Sequence, residues 1–352
     1  MHEITEEGDR AMIERHNFFR FATTEMSNSA FWGWVLQAAD ADEPSLQEVR
    51  RLAEIVLRDL AIAPVPPIEV TLEYPLEGHG RIDLHWQDAS GNILLIENKV
   101  SAIPDEQQCR NYTNYANTHN GIIKKAIFSI ANDDLDREKI PVDWIYIDIG
   151  KQIAWMEEIS SAHPILRDFR NFLVARHSLR HAERQDVMSS DPVRYIRGFK
   201  THAGQTEFML RLKSFLGEDF MYKPSIERNT NFGTPAYQLW FYYPPDDGKL
   251  LFRLDVRASR WCLMLRLYKD DQQLLDNTRF NRISELWAAA VQESQAILIP
   301  SRIPELRLKQ RECNVAKYDF DANPPTVLLQ EIPKALKAFM PAFLSNPKAT
   351  SS

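Results

Sequence analysis

Two carboxylates and one ammonium group stand out by their spacing. Glu97 and Lys99 lie two residues apart at the end of the apolar run Ile93-Leu94-Leu95-Ile96, and Asp83 closes the segment Gly80-Arg81-Ile82-Asp83. Residues two apart on a strand project from the same face. An apolar run ending in charge reads as a buried strand emerging at the rim of its sheet. Between the two segments lies Asp88-Ala89-Ser90-Gly91-Asn92, a turn sequence that joins them as a hairpin. The hairpin brings Asp83 toward Glu97 and Lys99. Asp83 and Glu97 are hard oxygen ligands suited to Mg²⁺, with Mn²⁺ as a substitute, and the backbone carbonyl of Asn98 between them is a third donor. A metal held there would polarise a scissile phosphate and acidify water, while Lys99 would orient that water or neutralise charge on the phosphorane. That chemistry is phosphodiester hydrolysis. The competing reading is a solvated strand end or a surface ion pair.

The elements that must position these groups are legible around them. Residues 25–37 carry Met26, Ala30, Phe31, Trp34 and Val35 at helical spacing, with Ser27 and Asn28 as candidate caps. A second helix is expected over 44–60, and Pro64, Pro66 and Pro67 break the pattern after it. Strands are expected over 68–74, 81–86 and 92–100, then a polar helix over 104–117 opened by Pro104. Two further strands follow over 125–130 and 144–149. Strands joined by crossover helices predict an α/β mixed sheet flanked by helices.

Residues 164–200 read as helical and arginine-rich. The pattern then changes to a meander over 236–243, 250–256 and 261–268, with helices over 281–293 and 327–343. This predicts a second, α+β domain over 189–352, of unknown role in substrate or partner recognition, after a first domain over 1–188. The chain's 352 residues suit two domains.

The Asp83 and Glu97-Asn98-Lys99 hairpin followed by a helix resembles the PD-(D/E)xK nuclease superfamily. It is most similar to the bacterial branch in which an "IENK" strand precedes a helix carrying Gln and Tyr. Gln108 and Tyr112 meet that Q-x-x-x-Y spacing. The segment from Thr24 to Leu36 resembles the family's glutamate-bearing helix before the sheet, which makes Glu25 the additional acidic and metal-binding residue. Ile82 stands before Asp83 where many members have proline. The resemblance spans about residues 15–150 and implies a restriction-endonuclease-like fold and a Mg²⁺-dependent phosphodiesterase. It also implies catalytic roles for Glu25 and Gln108 beside Asp83, Glu97 and Lys99. Tyr112 and Gln108 read equally well as one side of an amphipathic helix.

Arg176, Arg180 and Arg184 are spaced four apart and share a helical face, either tracking nucleic-acid phosphates or forming a solvated, salt-bridged surface. His177 and His181 lack a third ligand and read as surface residues. The aromatic run Trp240-Phe241-Tyr242-Tyr243, with Trp261, reads as sheet core rather than a base-stacking platform.

A net charge of −7 argues against a protein that coats DNA non-specifically. Cys109, Cys262 and Cys313 show no metal or disulfide spacing and read as buried free thiols in a reducing compartment. The acidic N-terminus is no signal peptide, and no window approaches the roughly eighteen apolar residues of a membrane span. The expectation is a cytoplasmic nuclease acting on DNA, in defence against foreign DNA or in repair. A homodimer or an unidentified protein partner stays open, as does RNA as substrate. The alternative is a catalytically inactive module that binds nucleic acid or protein on the same fold.

Overall fold

The computed structural model describes residues 24–100, 106–119, 121–130, 140–159, 162–216, 225–229, 236–242, 250–257, 262–269, 277–301 and 312–344. They form two compact units, Met1–Leu179 and Arg180–Ser352. The expected helix start at Pro104, the aromatics Tyr243 and Trp261, and the turn residues 244–248 and 258–259 lie outside the described residues. So do the side chains of Trp240, Phe241, Tyr242, Cys262 and Cys313.

The first unit runs α1 (Glu25–Gln37), α2 (Gln47–Asp59), β1 (Ile68–Leu76), β2 (Gly80–Asp88), β3 (Ile93–Lys99), α3 (Glu106–Ala116), β4 (Ile123–Ser129), β5 (Ile145–Ile147), α4 (Ile149–Ile159) and α5 (Pro164–Val187). The strands make one sheet in chain order, antiparallel from β1 to β3 and parallel from β3 to β5. This is the α/β arrangement, restriction-endonuclease-like, that the sequence predicts. All seven residues of β3 are buried, as a central strand covered on both faces must be. Leu94 and Ile96 enter a core with Trp32, Leu52, Val56, Trp155 and Phe169 of the helices. Ile93 and Leu95 face the opposite way, toward Cys109, Tyr112 and Tyr115 of α3. Trp32 is fully buried and meets Phe128 and Trp155 edge to face. Truncating such a residue costs about 3–5 kcal/mol.

Thr24 caps α1, its hydroxyl accepting from the Ser27 N–H at 3.2 Å. Ser27 and Asn28, the caps expected from sequence, lie inside the helix. Gly33 brings α1 close to the hairpin, since a Cβ there would stand 3.0 Å from Leu72.

The alternation expected along β1 and β2 breaks once. Val70 and Leu72 pack with the α1 core, whereas Tyr74 and Leu76 belong to the α3 side. Leu84 and Trp86 likewise oppose Ile82. The switch falls at Glu73, in the left-handed region with φ 52°, between the pairs Leu72↔Leu84 and Tyr74↔Ile82. Beyond it, both strands change the face they bury, and Asp83 occupies the change-over.

The expected strand 144–149 ends at Ile147, because Asp148 caps a helix instead by accepting from the Lys151 N–H at 2.7 Å. The residues 164–200, expected to be helical, form two helices, α5 and α6 (Pro192–Phe199), with Asp191 capping the second ahead of Pro192. The second unit adds α7 (His202–Leu216), β6 (Ser225–Asn229), β7 (Ala236–Tyr242), β8 (Leu250–Arg257), β9 (Cys262–Lys269), α8 (Asn277–Glu293), β10 (Glu312–Asp319) and α9 (Pro325–Leu344). Its antiparallel sheet has the order β10-β9-β8-β7-β6. The sequence pattern had shown three of these strands; α7, β6 and β10 extend it. Phe199 stacks on Phe320, and Trp287 donates to the buried Tyr318 hydroxyl at 2.7 Å. Among the described residues no helix is long and apolar enough to cross a membrane.

Candidate active site

The site forms where β2 and β3 part. Their ladder ends at Leu84↔Ile96. Beyond it the Asp83 carboxylate takes over, its Oδ2 accepting from the Asn98 N–H at 2.7 Å. Glu97 and Lys99 project together toward the α3 side, and the Lys99 ammonium lies 2.8 Å from Glu97 Oε1. Both are buried, with side chains 3% and 11% exposed for Glu97 and Lys99. Glu25, the first residue of α1, reaches the same lysine at 3.9 Å, and its other oxygen lies 3.5 Å from the Val100 N–H. The structure thus brings Asp83, Glu97, Lys99 and Glu25 into one place from three elements.

Electrostatics there are strained in a direction that suits a cation. Burial raises Glu97 to about 7, with the Asp83 charge adding to it and Lys99 opposing. Burial also raises Asp83, against the Asn98 N–H and Lys99. For Lys99, burial disfavours the charge, but Glu97, then Glu25 and Asp83, outweigh it and hold the ammonium above its ordinary value. Glu97 Oε2 is buried and, among the described residues, has no hydrogen-bond partner. Two mutually repelling carboxylates with an unpartnered oxygen are a donor set that a hard divalent cation satisfies. Among the described residues no three His, Cys, Asp or Glu side chains are grouped to hold a metal, so the carboxylate set is the pair Asp83 and Glu97. Glu25 is turned to Lys99.

Gln108 lies on α3 with its amide 3.5 Å from Glu97 Oε1 and 3.4 Å from the Tyr112 hydroxyl. Tyr112 is buried and donates to the Arg81 carbonyl at 2.7 Å, tying α3 to β2 two residues before Asp83. Burial, then Glu97 and Asp83, push its phenol up, so it stays a neutral donor. Arg176 of α5 donates to the carbonyls of Ile130 and Val100 at 3.2 and 2.8 Å, where β4 and β3 end. Arg180 and Arg184 lie farther along that helix, in the second unit.

Sequence reading missed three contributors. Glu73 pairs with Arg81 at 2.5 Å and adds negative charge near Asp83. Asn28 and Ser29, both buried on α1, hydrogen-bond the Asn98 side chain. Polar residues on the apolar stripe of a core-facing helix were the available signal.

A comparison with protein families adds to this geometry. The family model of the PD-(D/E)XK nuclease superfamily matches residues 16–157, a span holding every residue of the cluster. No curated protein and no solved structure matches the chain. Over residues 16–157, this chain is similar to the PD-(D/E)XK nuclease superfamily.

Proposed function

We propose that the chain is a Mg²⁺-dependent nuclease that hydrolyses phosphodiester bonds in DNA, with Mn²⁺ able to substitute. The observation that carries this reading is the buried Glu97, its Oε2 unpartnered beside Asp83 and its Oε1 on Lys99. Asp83, Glu97 and the Asn98 backbone carbonyl would hold the cation, with Glu25, on Lys99, as the additional acidic residue beside them. When bound, it supplies Lewis acidity to the scissile phosphate. Lys99 stays protonated among its carboxylates and offers a fixed positive charge to the phosphate as charge builds on it. Gln108 steadies Glu97, and Tyr112 holds the Asp83 strand against α3, within reach of the nucleic-acid backbone. Arg176 braces the two strand ends, and Arg180 and Arg184 contact phosphates. The second unit recognises substrate or a protein partner, and a role in defence against foreign DNA or in repair fits this chemistry.

The test is cleavage of plasmid, linear and single-stranded DNA, and of RNA, in Mg²⁺ or Mn²⁺, beside Asp83→Ala and Lys99→Ala. Wild-type cleavage that both substitutions abolish is the expected result. Equal behaviour of all three proteins on every substrate would sink the reading.

A further inference from the structure

Asn98 stands between Glu97 and Lys99 but points to the other face of the sheet, among Ile96, Val100 and the apolar residues of α1. A buried amide costs about 1–3 kcal/mol unless it is hydrogen-bonded. Here both ends are engaged by α1: Oδ1 accepts from Asn28 Nδ2 at 3.0 Å, and Nδ2 donates to Ser29 Oγ at 2.9 Å. The Ser29 hydroxyl in turn donates to the Glu25 carbonyl at 2.9 Å. Asn98 and Ser29 are fully buried and Asn28 nearly so. Meanwhile the Asn98 backbone N–H holds Asp83. One residue therefore grips Asp83 through its main chain and the first turn of α1 through its side chain. Asn28 Oδ1 is left buried without a partner among the described residues. A network that leaves an acceptor unmet is a poor way to gain stability, but it fixes one register where apolar packing would allow several.

We propose that Asn98, clasped by Asn28 and Ser29, is a positioning residue that sets the register of α1 on β3 and so delivers Glu25 to Lys99. This rests on the nuclease reading for its kinetic consequence, though not for its geometry. If the clasp acts through Glu25, losing the clasp and losing the carboxylate are the same loss.

The experiment is a double-mutant cycle on the full chain with Asn98→Leu, Glu25→Gln and the pair. It reads cleavage rate, Mn²⁺ affinity by electron paramagnetic resonance, and thermal midpoint. Ser29→Ala is the milder second variant should Asn98→Leu not fold. Each single change is expected to lower the rate at least about tenfold, and the pair to fall no lower than Glu25→Gln within about twofold. A structural role alone would make the losses multiply and would move the thermal midpoint instead. Multiplying losses, or wild-type rate and Mn²⁺ affinity in folded Asn98→Leu or Ser29→Ala, would overturn the proposal. Crystal structures of wild type and variant give the Glu25–Lys99 separation even if nothing is cleaved. An unchanged separation overturns the clasp, whereas a lengthened one without wild-type cleavage refutes only the nuclease reading.

Discussion

At the scale of single residues, the site is defined by charges that the fold brings together at a cost. Glu97 is buried beside Asp83, and its ordinary affinity for protons is raised to about 7. A ligand that binds only the folded state stabilises it, by about 2.7 kcal/mol at a hundredfold excess over its dissociation constant. Mg²⁺ or Mn²⁺ is therefore expected to raise the thermal midpoint of the wild-type chain and to leave Asp83→Asn nearly unmoved. Differential scanning fluorimetry across a cation titration checks this. An equal shift in both proteins would place the cation elsewhere. These residues were legible in the sequence because a strand's period of two needs no tertiary knowledge. Glu73 was not, since a left-handed glutamate inside a strand leaves no mark on composition.

At the scale of elements, the sheet edge is held by helices that are themselves anchored by polar pairs. At the end of α2, Asp59 accepts from Trp155 Nε1 of α4 at 2.8 Å and pairs with Lys151, while Arg58 reaches Glu158. The Lys151 and Trp155 hydrogen bonds hold the Asp59 carboxyl down at about 2. A carboxylate whose folded value lies below its unfolded one stabilises the fold above the unfolded value. That contribution is lost as pH falls through the folded one. Asp59 is one-fifth exposed and Lys151 about half, so screening leaves about 1–2 kcal/mol. Asp59→Asn should lower the unfolding free energy by that amount at pH 7, and the deficit should shrink as pH falls from 4 toward 2. Urea unfolding followed by tryptophan fluorescence reads it; a deficit constant with pH would be inconsistent with this origin. The helix α4 itself was hidden in sequence. Ile145-Tyr146-Ile147-Asp148-Ile149 alternates like a strand, and only the cap at Asp148 marks where the period changes.

At the scale of the whole molecule, the proposed action on nucleic acid requires local positive charge on a chain of net charge −7. Arg180 and Arg184 follow Arg176 at intervals of four along α5 and are the proposed phosphate contacts. Each of Arg180→Glu and Arg184→Glu is expected to weaken DNA binding across sequences and to reduce the salt slope by about one. Fluorescence anisotropy at several salt concentrations measures this. Unchanged slopes would make the arginines a solvated helix face.

By itself the sequence determined the grouping: an aspartate, a glutamate and a lysine spaced so that a hairpin and a strand's alternation must bring them together. It also determined the α/β order of the first unit, because apolar periodicity and turn residues are local properties. Only the tertiary structure decided how Glu25 arrives. The contacts that place it run from Asn98 to Asn28 and Ser29, some seventy residues away in the chain. Such pairings follow from which helix face lands on which strand, a register that no local pattern in the sequence records. The change of face at Glu73, which turns Asp83 into the gap between parted strands, was likewise a tertiary decision.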